Sequence, residues 1–268
     1  MSFNINTNLG ALDAYNALAK INASTTKAQL NLATQKRINT VADDTSGYRV
    51  GKELQGQITL MTSAQGNIGS AKNILSTAES ALSNINDLLN QIAGKAADAN
   101  DPSKNKDSIA KDVLALGDEI NSIFTNTKFN STALLSGSGH SFAFKTGVSE
   151  TTTIDFGDLS GLALGSVTTG GTGAVTSATV GSVDISAMQS AVENALGSIG
   201  NYSQRLNVKS DYLTSAITNA TASVSRLFDA DMAMEQLNAT KGSIGGQVAT
   251  SMLSQLNSAP QNILSLFK

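Results

Sequence analysis

The sequence predicts a mainly α fold: an elongated rod of long antiparallel coiled-coil helices formed by both chain halves, with a small β-hairpin insert. Three observations carry this. Every seventh residue from Leu54 is apolar, through Met61, Ile68, Leu75, Leu82, Leu89 and Ala96, and Ala64, Ala71, Ala78, Ile85 and Ile92 fill the second seam position, broken only at Gln57. Far downstream, Val192, Ile199, Leu206, Leu213, Ala220, Leu227 and Met234 repeat the spacing of seven over a matching length. Aromatic residues make up only 4% of the 268-residue chain and Trp is absent, which suits thin alanine-rich seams better than a thick globular core.

Each element follows in order. Ile5, Leu9, Leu12, Tyr15, Leu18 and Ile21 form a one-sided stripe whose other face is Asn, Thr and Lys, an amphipathic helix. Residues 33–47 are polar, and Asp43 or Asp44 is placed to cap a helix beginning near Thr45. The seam from Leu54 then predicts one helix of about 40 to 50 residues, ~65–75 Å at 1.5 Å per residue, which needs partners of similar length to cover its stripe. Asp101-Pro102 stops it, because proline disfavours helix at the residue before it. Ile109, Val113, Leu116, Ile120, Ile123 and Thr127 step by alternating fours and threes, an antiparallel return helix.

Between Gly137 and Asp184, Gly, Ser and Thr dominate. Ser141–Lys145 and Thr153–Phe156 alternate apolar with polar, predicting a β-hairpin around Gly147–Thr151, and Thr168–Gly173 reads as a loop. The stretch Thr168–Val180 carries no seam position and is expected to be dispensable. The seam from Val192 gives the third long helix. At the end, Ile244, Val248, Met252, Leu253, Leu256, Ile263, Leu264 and Phe267 form a stripe matching the N-terminal one, so both ends of the chain are built to bury apolar surface in an assembly.

Composition narrows the function. A net charge of −3 offers no basic patch to replace phosphate counterions, so no nucleic acid is expected. With no cysteine there is no disulfide framework or thiolate metal site, and with one histidine, His140, no two-histidine zinc site. Residues 1–10 have no cationic and apolar signal pattern, and no apolar run reaches the ~18 residues of a membrane span, so export without a cleaved signal and no membrane insertion are expected. Asp43/Asp44 and Asp229/Asp231 are paired carboxylates better explained by capping and ion pairing than by acid–base chemistry, and the glycine-rich 165–173 lacks the Lys-Ser/Thr of a phosphate loop. No active site, metal or cofactor is read.

Three segments carry a family resemblance. Arg37-Ile38-Asn39 followed by Ala42-Asp43-Asp44 and Gly47 resembles the bacterial flagellin signature, with Gln35-Lys36 where Ser-Gly is usual. Ser225-Arg226-Leu227-Phe228-Asp229-Ala230-Asp231 is similar to the flagellin Ser-Arg-Ile-Glu-Asp-Ala-Asp motif, with Phe228 where an acid is usual, and 259–268 resembles the flagellin C-terminal ending. The resemblance covers 1–136 and 186–268. It implies an extracellular subunit that polymerises with itself into the bacterial flagellar filament for motility. In that reading 1–44 with 237–268 form inner-core helices, 45–136 with 186–236 a helical rod, and 137–185 a small β-rich outer segment. It also implies export through the flagellar type III apparatus and dealings with an export chaperone, a cap and junction proteins. Finally, it implies a poor ligand for the vertebrate Toll-like receptor that recognises many flagellins, since Gln91 stands at the recognised Arg, Gly94-Lys95 at a Glu-Leu pair, and Asp112 near a second Glu. A hook–filament junction protein and an intracellular coiled-coil scaffold remain the alternatives.

Overall fold

The computed structural model describes residues 8–136, 141–156, 167–171 and 174–266, with side chains to 258. Its elements are α1 (Leu9–Thr34), α2 (Thr45–Asp98), α3 (Lys106–Asn126), β1 (Lys128–Phe129), β2 (Thr132–Ala133), β3 (Ser141–Lys145), β4 (Thr151–Asp155), a 3-10 turn (Val180–Ser182), α4 (Ser186–Phe228) and α5 (Met232–Leu266). The fold is mainly helical, as the heptads predict. Two compact units divide it, residues 1–56 with 218–268 and residues 57–217, and α2 and α4 each contribute to both.

In the 57–217 unit the seam of α2 is the core. Ala64, Ile68, Ala71, Leu75, Ala78, Leu82, Ile85, Leu89 and Ile92 are all buried, as are Val192, Ile199, Leu206 and Leu213 of α4 and Ile109, Val113 and Ile120 of α3. Each large apolar side chain buried this way stabilises by about 1.5–3 kcal/mol. The Gln65 amide donates to Thr214 Oγ1 and the Gln189 amide to Asn90 Oδ1, both at 3.0 Å, so α2 and α4 run antiparallel. Asn105 caps α3 by accepting from the N–H groups of Asp107 and Ser108, and Asp184 accepts from Ser186 at the start of α4.

β1 and β2 turn through Asn130 and Ser131, both at positive φ, the geometry of a two-residue hairpin turn. The β3–β4 hairpin forms with β3 where the alternation placed it and β4 starting at Thr151, which the expectation had put in the turn, pairing Ser141 with Asp155 and Lys145 with Thr151. Its inner face buries Ile154, and Phe142 meets Phe156 edge-on at 6.1 Å. It is tied to the helices by Asn67, whose amide donates to Lys145 O, and by a Lys209–Glu150 ion pair. Gly117 lies flush against the Val167 carbonyl, where any Cβ would overlap, and the Thr169 N–H donates to Asp118. The Thr169 hydroxyl and this N–H together hold the Asp118 carboxyl below its usual pKa.

Two expectations need correction. The downstream seam does not run on to Met234: the helix breaks at 229–231, and Met234 lies exposed on α5. Nor does Thr168–Val180 lie clear of the core, since Val175 and Val180 are buried although neither is a seam position. Of the sequence-derived positions, Ile5, His140 and Phe267 lie outside the described residues, as do the side chains of Ile263 and Leu264.

In the other unit α1 and α5 pack antiparallel, with Asn8 Nδ2 donating to Leu256 O at one end and Asn31 reaching Glu235 at the other. The helices approach closely because glycines stand at the contact: Gly242 faces Thr25 with no room for a Cβ, and a Cβ added at Gly245 would lie 3.6 Å from Ile21 Cγ2.

Candidate functional site

Among the described residues no cluster of His, Cys, Asp or Glu is arranged to hold a metal. No described helix is long and apolar enough to cross a membrane. What the terminal unit offers instead is an uncovered apolar surface on α1 and α5 and a polar junction that fixes both helices.

The surface follows from having two apolar faces on each helix. On α1, positions 11, 14, 18, 21, 25, 28 and 32 turn toward α5, so Leu18 and Ile21 are partly covered and Ala28 is buried. Leu9, Leu12 and Tyr15 point the other way and stand 54–62% exposed. On α5, Ala239, Leu253 and Leu256 turn toward α1, Leu256 reaching Gly10, while Ile244, Val248 and Met252 are exposed, continued at the start of the helix by Met234 and Leu237. Scattered exposed leucines are ordinary, but a stripe at helical spacing along two paired helices marks a binding surface.

The motif residues build the junction. Gln35 ends α1 in the left-handed conformation, φ 58°, which favours glycine, and its carbonyl accepts from Ala230 N–H at 3.1 Å. Arg37 N–H donates to Phe228 O at 2.6 Å and its guanidinium to Leu227 O at 3.0 Å, so the segment after α1 is zipped to the break between α4 and α5. Ile38 is buried. The two aspartates divide the work left open by the sequence: Asp44 caps α2 by accepting from Gly47 N–H at 2.9 Å, whereas Asp43 accepts from the N–H groups of Asn39 and Thr40 and pairs with Lys27 at 3.0 Å. The Thr40 and Asn39 amides and the Lys27 ammonium together hold the Asp43 carboxyl well below the usual carboxylate range. Gly47 has no Cβ because one would meet Asp44 and Ile38.

On the other strand of the junction, Ser225 donates to Asp229, Asp231 caps α5 by accepting from Ala233 and Met234 N–H groups, and Arg226 lies exposed in the last turn of α4, where a cation complements the helix dipole. Phe228 is buried against Gly51, at which any Cβ would overlap the ring, and meets Tyr48 edge-on at 6.1 Å.

Sequence reasoning missed the residue at the centre. Asn31 is 4% exposed, donates to Glu235 Oε1 and accepts from Asn39 Nδ2, both at 2.9 Å, and thereby joins α1, the connecting segment and α5. The only local signal is an Asn beside the apolar positions of the α1 seam. In the 57–217 unit, Lys95 does not stand alone: its ammonium bonds Asp112 across α2 and α3 at 2.7 Å, which raises the lysine's pKa, while Gln91 lies exposed one turn before it.

Comparison with known proteins agrees with this anatomy. Residues 5–140 match the bacterial flagellin N-terminal helical region and residues 182–267 the bacterial flagellin C-terminal helical region. The chain is similar to the flagellin of Bacillus subtilis, 27% identical with 98% of this chain and 99% of that one covered. It is 29% identical to flagellin FljM of Caulobacter vibrioides, with 98% of each covered, and 28% identical to the flagellar filament core protein flaB2 of Brachyspira hyodysenteriae, with 98% of this chain and 99% of that one covered. With both end regions matched in order and the helices, motifs and hairpin in place, the chain belongs to the bacterial flagellins, the structural, non-enzymatic subunits of the extracellular flagellar filament.

Proposed function

We propose that the exposed stripes of α1 and α5 are the surface through which copies of this chain hold one another in the filament. The observation that carries this is the exposure of Leu9, Leu12, Tyr15, Ile244, Val248 and Met252 on helices that have already spent a separate face on each other. A helical filament needs head-to-tail contacts between unlike surfaces. In the sequence, Ile5, Ile263, Leu264 and Phe267 continue the apolar pattern toward the two ends. In this reading 1–44 with 237–268 lie in the filament's inner core, 45–136 with 186–236 form the rod around it, and 137–185 faces outward. An apolar C-terminal stripe also needs covering before assembly, which fits an export chaperone that holds it, delivery unfolded through the type III apparatus, and addition beneath a cap, with junction proteins at the base.

Val248→Asp tests the surface. Val248 is half exposed in the single chain, so helicity by circular dichroism should be unchanged, while polymerisation followed by sedimentation should fail. Normal filaments from this variant would remove the proposal.

A further inference from the structure

The five methionines among the described residues fall into two groups. Met61 and Met188, 7% and 5% exposed, are sealed in the 57–217 core. Met232, Met234 and Met252, 41%, 54% and 59% exposed, all lie on α5. Met234 and Met252 are about five full turns apart at 3.6 residues per turn, so they occupy the same line of the helix, in the stripe with Leu237, Ile244 and Val248. Met232, two residues before Met234, points about 160° away from that line at ~100° per residue.

We propose that Met234 and Met252 are an oxidation-sensitive modification site of the assembly surface, open to peroxide in the free subunit and closed to it in the filament. The thioether sulfur attacks one peroxide oxygen, the O–O bond breaks and an S–O bond forms; sulfur is oxidised by two electrons to the sulfoxide and the peroxide is reduced to water. Methionine is apolar and adaptable at a contact between copies, but its sulfoxide is polar and disrupts such contacts. A subunit oxidised before it is added therefore enters the polymer less readily, and one already added is shielded. Because both sulfurs sit on one line of the helix, a single neighbouring face is spoiled by either. This rests on the stripe being the contact between copies.

The test treats purified subunit and assembled filament with hydrogen peroxide and maps sulfoxides by peptide mass. In the free subunit Met232, Met234 and Met252 should oxidise while Met61 and Met188 resist; in the filament Met234 and Met252 should be protected about tenfold or more. Oxidised subunits should need about tenfold more protein to polymerise, the effect of losing one modest apolar contact per added copy. The paired variant Met234→Leu with Met252→Leu should polymerise normally and shed that sensitivity, whereas Met232→Leu should keep it. Equal oxidation of Met252 in subunit and filament, or unchanged peroxide sensitivity in the paired variant, would overturn the proposal. Should Val248→Asp block assembly while oxidised subunits polymerise normally, the stripe stands and the oxidation site falls; should Val248→Asp also polymerise, the surface itself is wrong.

Discussion

Replacing Asn31 by Ala removes the one side chain that ties three segments of the junction together. Its amide donates to the Glu235 carboxylate and its carbonyl accepts from Asn39, each at 2.9 Å, and Asn31 itself is almost fully covered. A hydrogen bond to a charged group contributes about 1.5–3 kcal/mol and a neutral one about 0.5–1.5 kcal/mol, and here both partners are left facing an apolar methyl. The expected loss is therefore about 2–4 kcal/mol in the unit of residues 1–56 with 218–268. At roughly 2–4 °C per kcal/mol for a chain of this size, the melting of that unit should fall by about 4–16 °C. Circular dichroism of the depolymerised subunit gives the melting curve, and amide exchange along α1 and α5 assigns the loss to the junction. A double-mutant cycle with Glu235→Ala should return a coupling of about 1–2 kcal/mol, since the pair is direct. An Asn31→Ala subunit that melts with the wild type, or a coupling near zero, would refute the view that this contact fixes the terminal helices.

Three more outcomes follow from the geometry. Gly51→Ala should destabilise the same unit by about 1–3 kcal/mol despite alanine's better helix propensity, because the new methyl overlaps the Phe228 ring, and Phe228→Leu should relieve part of it in a thermal melt. The Asp43 pKa is lowered in the folded chain, so its stabilisation is fully present above the ordinary carboxylate value of 3.8 and is lost as pH falls below it; Asp43→Asn should be less stable at neutral pH and flatten the acid limb of a stability–pH curve in that window. We propose that the chain is a weak ligand for the flagellin-sensing Toll-like receptor because Lys95, engaged by Asp112, and Gln91 replace an apolar and a cationic anchor; Gln91→Arg with Lys95→Leu should raise a cell reporter's response by at least tenfold, and no change would reject these positions.

The long helices were legible in the sequence because a heptad seam is a local, repeating signal: Met61 to Ala96 and Val192 to Leu213 are buried as the spacing requires. The β3–β4 hairpin was legible for the same reason with a period of two. The break at 229–231 was not, because Met234 keeps the spacing of seven although Asp231 starts a new helix there. Terminal stripes were visible, but which of their members face the partner helix and which face away depended on the glycines at 242 and 245 setting how closely α1 and α5 approach. Least legible was the junction. Asn31 and Glu235, or Gly51 and Phe228, meet only through the fold, and no spacing along the chain announces a hydrogen bond or a ring socket between the two halves.

The absence of cysteine makes the most direct test of the assembly surface simple. Single variants Leu12→Cys and Val248→Cys, each carrying the chain's sole thiol, can be labelled with a maleimide as free subunit and as filament. Burial of the stripes between copies predicts rapid labelling of both thiols in the subunit and labelling slowed by at least about tenfold in the filament. Equal rates in subunit and filament would show that the stripes stay in solvent after assembly and would contradict the account.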